Sequence, residues 1–291
     1  MTYLVGEGIS RSRACDLSGY SRSLLYYRHR KRSIPLDPSI ESRISEIIKE
    51  RPSYGTRRVT AMIRRSRLNV NRKRVRRHMR AMNLVMARKK VAREKAPRAV
   101  VVSTLNRTWE TDFTKIYIPG EGWVYFTAYI DLCSRKVRGF LVSMMSRTEE
   151  MLLALDSALL TEFPDLVIPN LSIRSDDGSQ LTSHRYEEYL RSLGIRHETI
   201  HPNTPEEDGH VESYFGHFKE DYIYTRDFSS YIEFESYIGW AVNDYNSVRP
   251  HSSLDYLTPE EFECRIMEDE MFRRKWIEKQ MGRYEHVILL E

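Results

Sequence analysis

The sequence predicts an α/β chain, a mixed sheet with flanking helices, preceded by a basic all-α region. Three observations carry this prediction. Residues 109–142 hold three consecutive runs rich in β-branched and aromatic residues. Helical and strand-like segments then alternate as far as a helix that begins near residue 205. The charge also divides sharply: residues 1–100 hold 27 Lys and Arg against 7 Asp and Glu, a balance of +20, which leaves 19 against 34, or −15, in the remainder. A basic N-terminal portion is the footprint of polyanion binding, because each phosphate neutralised by Lys or Arg releases a condensed counterion. A length of 291 residues suits about two domains, and 41% apolar residues suit a globular chain. No long uncharged apolar run and no secretory signal is visible, so the expectation is a cytoplasmic protein with no membrane partner. Cys15, Cys133 and Cys264 lack metal-ligand spacing and are read as small buried residues.

The elements follow in order. Residues 10–28 read as two short helices capped by Ser10 and Ser21, a compact helical hairpin or helix-turn-helix, followed by a basic linker broken by Pro35 and Pro38. Ile40, Ile44, Ile47 and Ile48 recur at helical spacing, and Pro52 ends that helix. Val59, Met62 and Ile63 mark a second helix. Asn71 caps a third, in which Val75, Met79 and Met82 form the apolar seam while Arg72, Lys73, Arg76, Arg77 and Arg80 cover the rest. So many cations on one short helix would repel each other without a phosphate partner. Residues 86–106 show no clear periodicity and mark a boundary. Strands are then predicted over 109–118, 123–130 and 136–142, with a helix over 148–161, a strand over 171–174, a helix over 183–193 and a strand over 195–199. Thr204, Pro205 and Glu207 announce the last helix, on which Val211, Tyr214, Phe215 and Phe218 form the core face and Glu212, Gly216 and Lys219 a different one. Trp240 and Tyr245 are read as core, and Glu260 to Glu270 as a solvated acidic tail.

Three acidic residues sit in distinctive settings: Asp112 in WETDFT, Asp176 in RSDDGSQ and Glu212 in HVESYFGHFKED. Asp112 lies inside a strand among aromatic neighbours, where a carboxylate needs a partner. Asp176 ends a strand, with Gly178 allowing a tight turn. Carboxylates brought together repel unless a divalent cation neutralises them, and hard oxygen donors suit Mg²⁺ or Mn²⁺. Two such ions could clamp the attacking and leaving oxygens of a phosphoryl transfer. Asp177 competes with Asp176, although successive residues at a strand end point to opposite sides. His201, His210 and His217 cluster nearby, but His210 and His217 are seven residues apart on one helix, too far to share an ion comfortably. Arg249 and His251, in YNSVRPHSSL, are either phosphate contacts or part of a structural loop pinned by Pro250.

WETDFT, IDLCSRKVRGF, RSDDGSQLTS, ESYFGHFKED and YNSVRPHSSLDYLTPEEF together resemble, in order and spacing, the DDE transposases of insertion sequences, specifically the integrase-core family made from an element's second reading frame. The resemblance runs from about Ser10 to Phe262. It implies a ribonuclease-H-like mixed sheet preceded by a helix-turn-helix, with YGTRRV belonging to the latter. It places the catalytic metal ligands on Asp112, Asp176 and Glu212, the family's SD-x-G pattern selecting Asp176 over Asp177. It implies two Mg²⁺ or Mn²⁺ ions, cleavage and strand transfer at the ends of an insertion sequence, double-stranded DNA as partner, a homo-oligomer on DNA in the prokaryotic nucleoid, and a first-reading-frame helix-turn-helix protein as a further partner. Arg57, Arg58, Arg72, Lys73, Arg76, Arg77, Arg80, Lys219 and Arg249 are the expected DNA contacts. The expected organisation is a helical hairpin and linker over 1–38, a basic helix-turn-helix region over 39–100, a catalytic core over 101–265 and a tail over 266–291. Two other readings compete: an inert DNA-binding regulator, and a nuclease of the same fold.

Overall fold

A computed structural model of the chain describes residues 2–21, 23, 27, 35–85, 98–200, 209–282 and 286–290. It divides into two compact units, Met1–Pro38 and Ser39–Glu291. In the first, α1 (Thr2–Gly6) precedes α2 (Arg11–Ser18), which is capped by Ser10 accepting from Arg13 N–H and ended by Gly19 at φ 68°. That left-handed conformation is one glycine adopts without penalty. The second helix expected up to residue 28 falls mostly outside the described residues.

The second unit opens with three helices, α3 (Pro38–Glu50) and the strongly basic α4 (Thr56–Arg65) and α5 (Arg72–Ala81). Ile40, Ile44, Ile47, Val59, Ile63, Val75 and Met79 form their shared core, closed by Tyr54 and Val70. Asn71 caps α5 by accepting from Arg74 N–H at 2.8 Å.

Strand β1 (Arg98–Val102) precedes a five-stranded sheet built from β2 (Thr108–Ile118), β3 (Gly122–Asp131), β4 (Val137–Ser143), β5 (Ser172–Ser175) and β6 (Arg196–Thr199). The order is β4-β3-β2-β5-β6, antiparallel across β4, β3 and β2 and parallel across β2, β5 and β6. This is the ribonuclease-H-like arrangement that the resemblance implied. Between β2 and β3 the chain reverses through Pro119 and Gly120, with Glu121 N–H donating to the Ile118 carbonyl at 3.1 Å and Gly120 at φ 87°, as a proline-glycine turn of type II requires. Helices α6 (Thr148–Glu162) and α7 (His184–Ser192) cover one face of the sheet, packing Met151, Leu155, Tyr186 and Leu190 onto Trp109, Tyr129 and Ile173. Gly139 is what lets α6 approach so closely: a Cβ there would lie 2.6 Å from the Ala158 Cβ. The other face receives α8 (Gly209–Phe218) and α9 (Tyr231–Ser247), whose Val211, Tyr214, Phe215, Phe218, Phe234 and Ile238 pack on Val124, Phe126, Ala128 and Ile130.

The C-terminal part of the chain corrects three expectations. The stretch read as a solvated acidic tail forms α10 (Pro259–Glu268) and α11 (Glu270–Met281), with Phe262, Ile266 and Trp276 buried against Val102, Leu132 and Cys133. Glu263 is buried too, because Arg138 reaches it while also pairing with Asp131 and Glu162. Part of the acidic excess is therefore neutralised internally. Strand β7 (His286–Leu290) pairs in parallel with β1, a pairing the sequence did not announce. Cys264 is exposed rather than buried, and Trp240 is 49% exposed rather than core, stacking its ring on Tyr237 at 5.3 Å.

Candidate active site

Asp112 lies in β2 opposite Ala128 of β3, and so on the face that α8 and α9 cover. The registered pairs between β2 and β5 end at Glu110↔Arg174. Asp112 stands two residues further along β2, and Asp176 follows directly after the last residue of β5. Glu212 is exposed on α8, opposite the buried Val211, Tyr214, Phe215 and Phe218. Asp112 and the helix that carries Glu212 are thus on one face of the sheet, and Asp176 follows the end of the strand beside β2. An Asp112 oxygen accepts from Phe113 N–H at 2.7 Å, and an Asp176 oxygen accepts from Gly178 N–H at 3.1 Å. Asp176 and Asp177 are both exposed.

The donors fit a hard divalent cation by type, since all are carboxylates. They are not already gathered around one point: among the described residues, no three His, Cys, Asp or Glu side chains are close enough to hold an ion. His201 lies outside the described residues. His210 is 3.4 Å from an Arg135 guanidinium nitrogen, and His217 is 3.6 Å from Glu220.

Lys219 follows α8 directly. Burial pulls its pKa below the ordinary lysine value, and the negative charge of Asp112 partly opposes that shift. It lines two open clefts of about 540 and 610 Å³, both of which also include Lys115. One runs past Phe113, Ser146 and Gln180, and the other past Tyr117, Tyr224 and Arg226. Lys115 also lies over the ring of the half-exposed Trp123, 4.9 Å from its centre. A Cβ on Gly216 would meet nothing within 4 Å, so α8 has an open side next to Glu212.

The basic residues separate by exposure. Arg57, Arg72, Lys73, Arg76 and Arg80 are exposed, and Arg77 is half-buried. Arg249 is corrected as a phosphate contact: its side chain is 3% exposed and pairs with the equally buried Asp221 at 2.7 Å. Burial lowers its pKa, but Asp221 and Tyr245 outweigh that and hold it above the ordinary arginine value. Arg58 is likewise engaged, donating to both Asp221 oxygens at 2.7 and 2.8 Å. Asp221 itself had no sequence signal; burial raises its pKa, while Arg249 and Arg58 together bring it below the usual carboxylate value.

Three family matches tile this arrangement: an HTH-like domain over residues 36–92 and two integrase core domain matches, over 103–205 and 193–259. The transposase of insertion sequence element IS904 from Lactococcus lactis is 31% identical over 225 residues, spanning 72% of this chain and 87% of that protein. The putative transposase of element IS150 from Escherichia coli K12 is 30% identical over 259 residues, spanning 83% and 89%. Among solved structures, the HTLV-2 integrase catalytic core domain in complex with magnesium aligns at 19% identity and a TM-score of 0.41, covering 54% of this chain and 94% of that one.

The fold and the matches together define a transposase or integrase, an enzyme of the polynucleotidyl-transferase type that acts on DNA. This chain belongs to the integrase-core transposases of insertion sequences. No helix among its described residues is long and apolar enough to cross a membrane.

Proposed function

We propose that the chain is the catalytic subunit that cuts and rejoins DNA at the ends of an insertion sequence, with Asp112, Asp176 and Glu212 as its catalytic carboxylates. The observation that supports this most is that Asp112 faces the side of the sheet on which the helix of Glu212 packs, while Asp176 follows the end of the strand next to that of Asp112. These residues would hold two Mg²⁺ or Mn²⁺ ions, whose chemistry when bound is to polarise the scissile phosphodiester and acidify the attacking hydroxyl. Lys219 would place its ammonium on a phosphate oxygen beside Asp112 and so orient the strand. Water adds to the phosphorus and the 3′-oxygen leaves with a proton. The freed 3′-hydroxyl then adds to a target phosphorus, loses its proton and displaces the target's own 3′-oxygen. Each step exchanges one phosphoester bond for another, so no nucleotide cofactor is needed.

Arg57, Arg72, Lys73, Arg76, Arg77 and Arg80 would hold duplex DNA through phosphates. Replacing Arg72, Arg76 and Arg80 with Ala in the full chain is expected to reduce the slope of log affinity against log salt by about 0.9 for each phosphate left unneutralised. An unchanged slope in a salt titration would mean that this face does not meet DNA.

The reading is completed by a homo-oligomer on DNA and a first-reading-frame helix-turn-helix partner, because joining engages an element end and a target duplex at once. The deciding experiment supplies pre-cut ends with a free 3′-hydroxyl, target DNA, Mg²⁺ or Mn²⁺ and that partner. Joined product is expected, and none from ends with a 3′-deoxy terminus. Efficient hydrolysis without joined product would replace this reading with a nuclease; binding with neither reaction would replace it with an inert regulator.

A further inference from the structure

The turn after α8 is wound wider than an α-helix. Lys219–Ile223 is a π-helical turn, closed by Tyr224 N–H donating to the Lys219 carbonyl at 2.8 Å. Such turns are rare and need their surroundings to hold them. Two consecutive side chains of this one are fastened from outside. Asp221 accepts from both Arg58 and Arg249. Tyr222 donates to an Asp244 oxygen at 2.8 Å, and the other Asp244 oxygen accepts from Arg51. Arg51 and Arg58 come from the basic helical region and flank the Tyr54 ring at 6.0 and 5.2 Å from its centre.

The geometry points to Arg58 as a positioning residue that acts through Asp221 on Lys219, making the DNA-binding helices part of the catalytic scaffold. The inference rests on the proposed role of Asp112, Asp176 and Glu212. Lys219 is the first residue of the wide turn, and the charge of Asp112 acts on it. Tyr222 and Ile223, at the far end of the turn, are fixed in the core. If the turn relaxed to ordinary α spacing, one residue of register would be lost. Lys219 and the end of α8 would then rotate by about 100°, the angle per residue of a helix with 3.6 residues per turn. Arg249 alone cannot prevent this, because it grips Asp221 only through one oxygen. Arg58 reaches both oxygens through one guanidinium nitrogen and so holds the carboxylate by both of its ends.

The test uses the full chain with its first-reading-frame partner, pre-cut ends and target DNA in Mg²⁺. Arg58→Ala is expected to slow joining at saturating DNA by about tenfold or more, the scale of a displaced positioning group. The slope of log affinity against log salt should stay unchanged, because Arg58 holds a carboxylate and not a phosphate. Arg58→Lys keeps a cation on Asp221 but carries it on a shorter stem with a differently placed donor, so it preserves the fold and should recover only part of the rate. On a Lys219→Ala background, Arg58→Ala should cost nothing further, as expected of residues that act as one unit. Joining at the unaltered rate by Arg58→Ala, losses that multiply with that of Lys219→Ala, or a salt slope reduced by about 0.9 would each overturn the inference. Failure of the unaltered chain to join ends is a separate outcome, and it overturns the reading of the site itself.

Discussion

Asp112→Asn, Asp176→Asn and Glu212→Gln are each expected to reduce strand joining by about a hundredfold to a thousandfold or more, the scale on which single groups that stabilise transition-state charge act. Each substitution preserves size and removes one negative charge. None removes a cation, so duplex affinity should hold or rise slightly as repulsion falls. Asp177→Asn is the internal control. It adjoins Asp176 at the same strand end but has the opposite parity, and it should remain near full activity. Joining assays beside gel-shift titrations would check this. Activity retained in Asp176→Asn and lost in Asp177→Asn would move the assignment by one residue.

Arg249→Met is expected to lower the unfolding free energy by about 3–5 kcal/mol, measured by urea titration, because removing one partner of a buried ion pair leaves the other charged and desolvated. The Arg249 and Asp221 side chains are each 3% exposed, so water cannot take the place of the missing guanidinium. Arg58 keeps one cation on Asp221, which argues for the lower end of that range. A decrease under about 1 kcal/mol would mean that the pair behaves like a surface salt bridge in solution.

Much of the fold could be read in the sequence where structure is local. Period-two alternation and aromatic runs located β2, β3 and β4 to within about a residue. The apolar seams of α3 and α5 were read from Ile40, Ile44, Ile47, Val75 and Met79, all of which are buried. Contacts between distant segments left no such trace. Arg58 meets Asp221 at a separation of 163 residues, so an arginine in a basic helix could not be told from its exposed neighbour Arg57. The parallel pairing of β1 with β7 joins residues 98–102 to 286–290 and lacks any turn signal. The π-helical turn was unreadable for a related reason: nothing in KEDYI sets its width, which depends on Arg51, Arg58 and Arg249 from elsewhere. Glu263 was read as solvated because its partner Arg138 lies 125 residues away. For the carboxylates, strand and helix position could be read from local pattern, whereas the nearness of β2 and β5 follows from the crossover that sets them side by side.

The four tryptophans of the chain fall into two optical classes. Trp109 and Trp276 are sealed in the interior, whereas Trp123 and Trp240 are 50% and 49% exposed. Only the latter two are open to a dissolved quencher such as iodide. Trp123 has Lys115 above its ring, and that lysine also lines both clefts beside Lys219. A DNA strand that drew the lysine away would change the electric field at the indole, so the chain has an intrinsic fluorescent reporter of what happens at Lys115 and needs no attached dye.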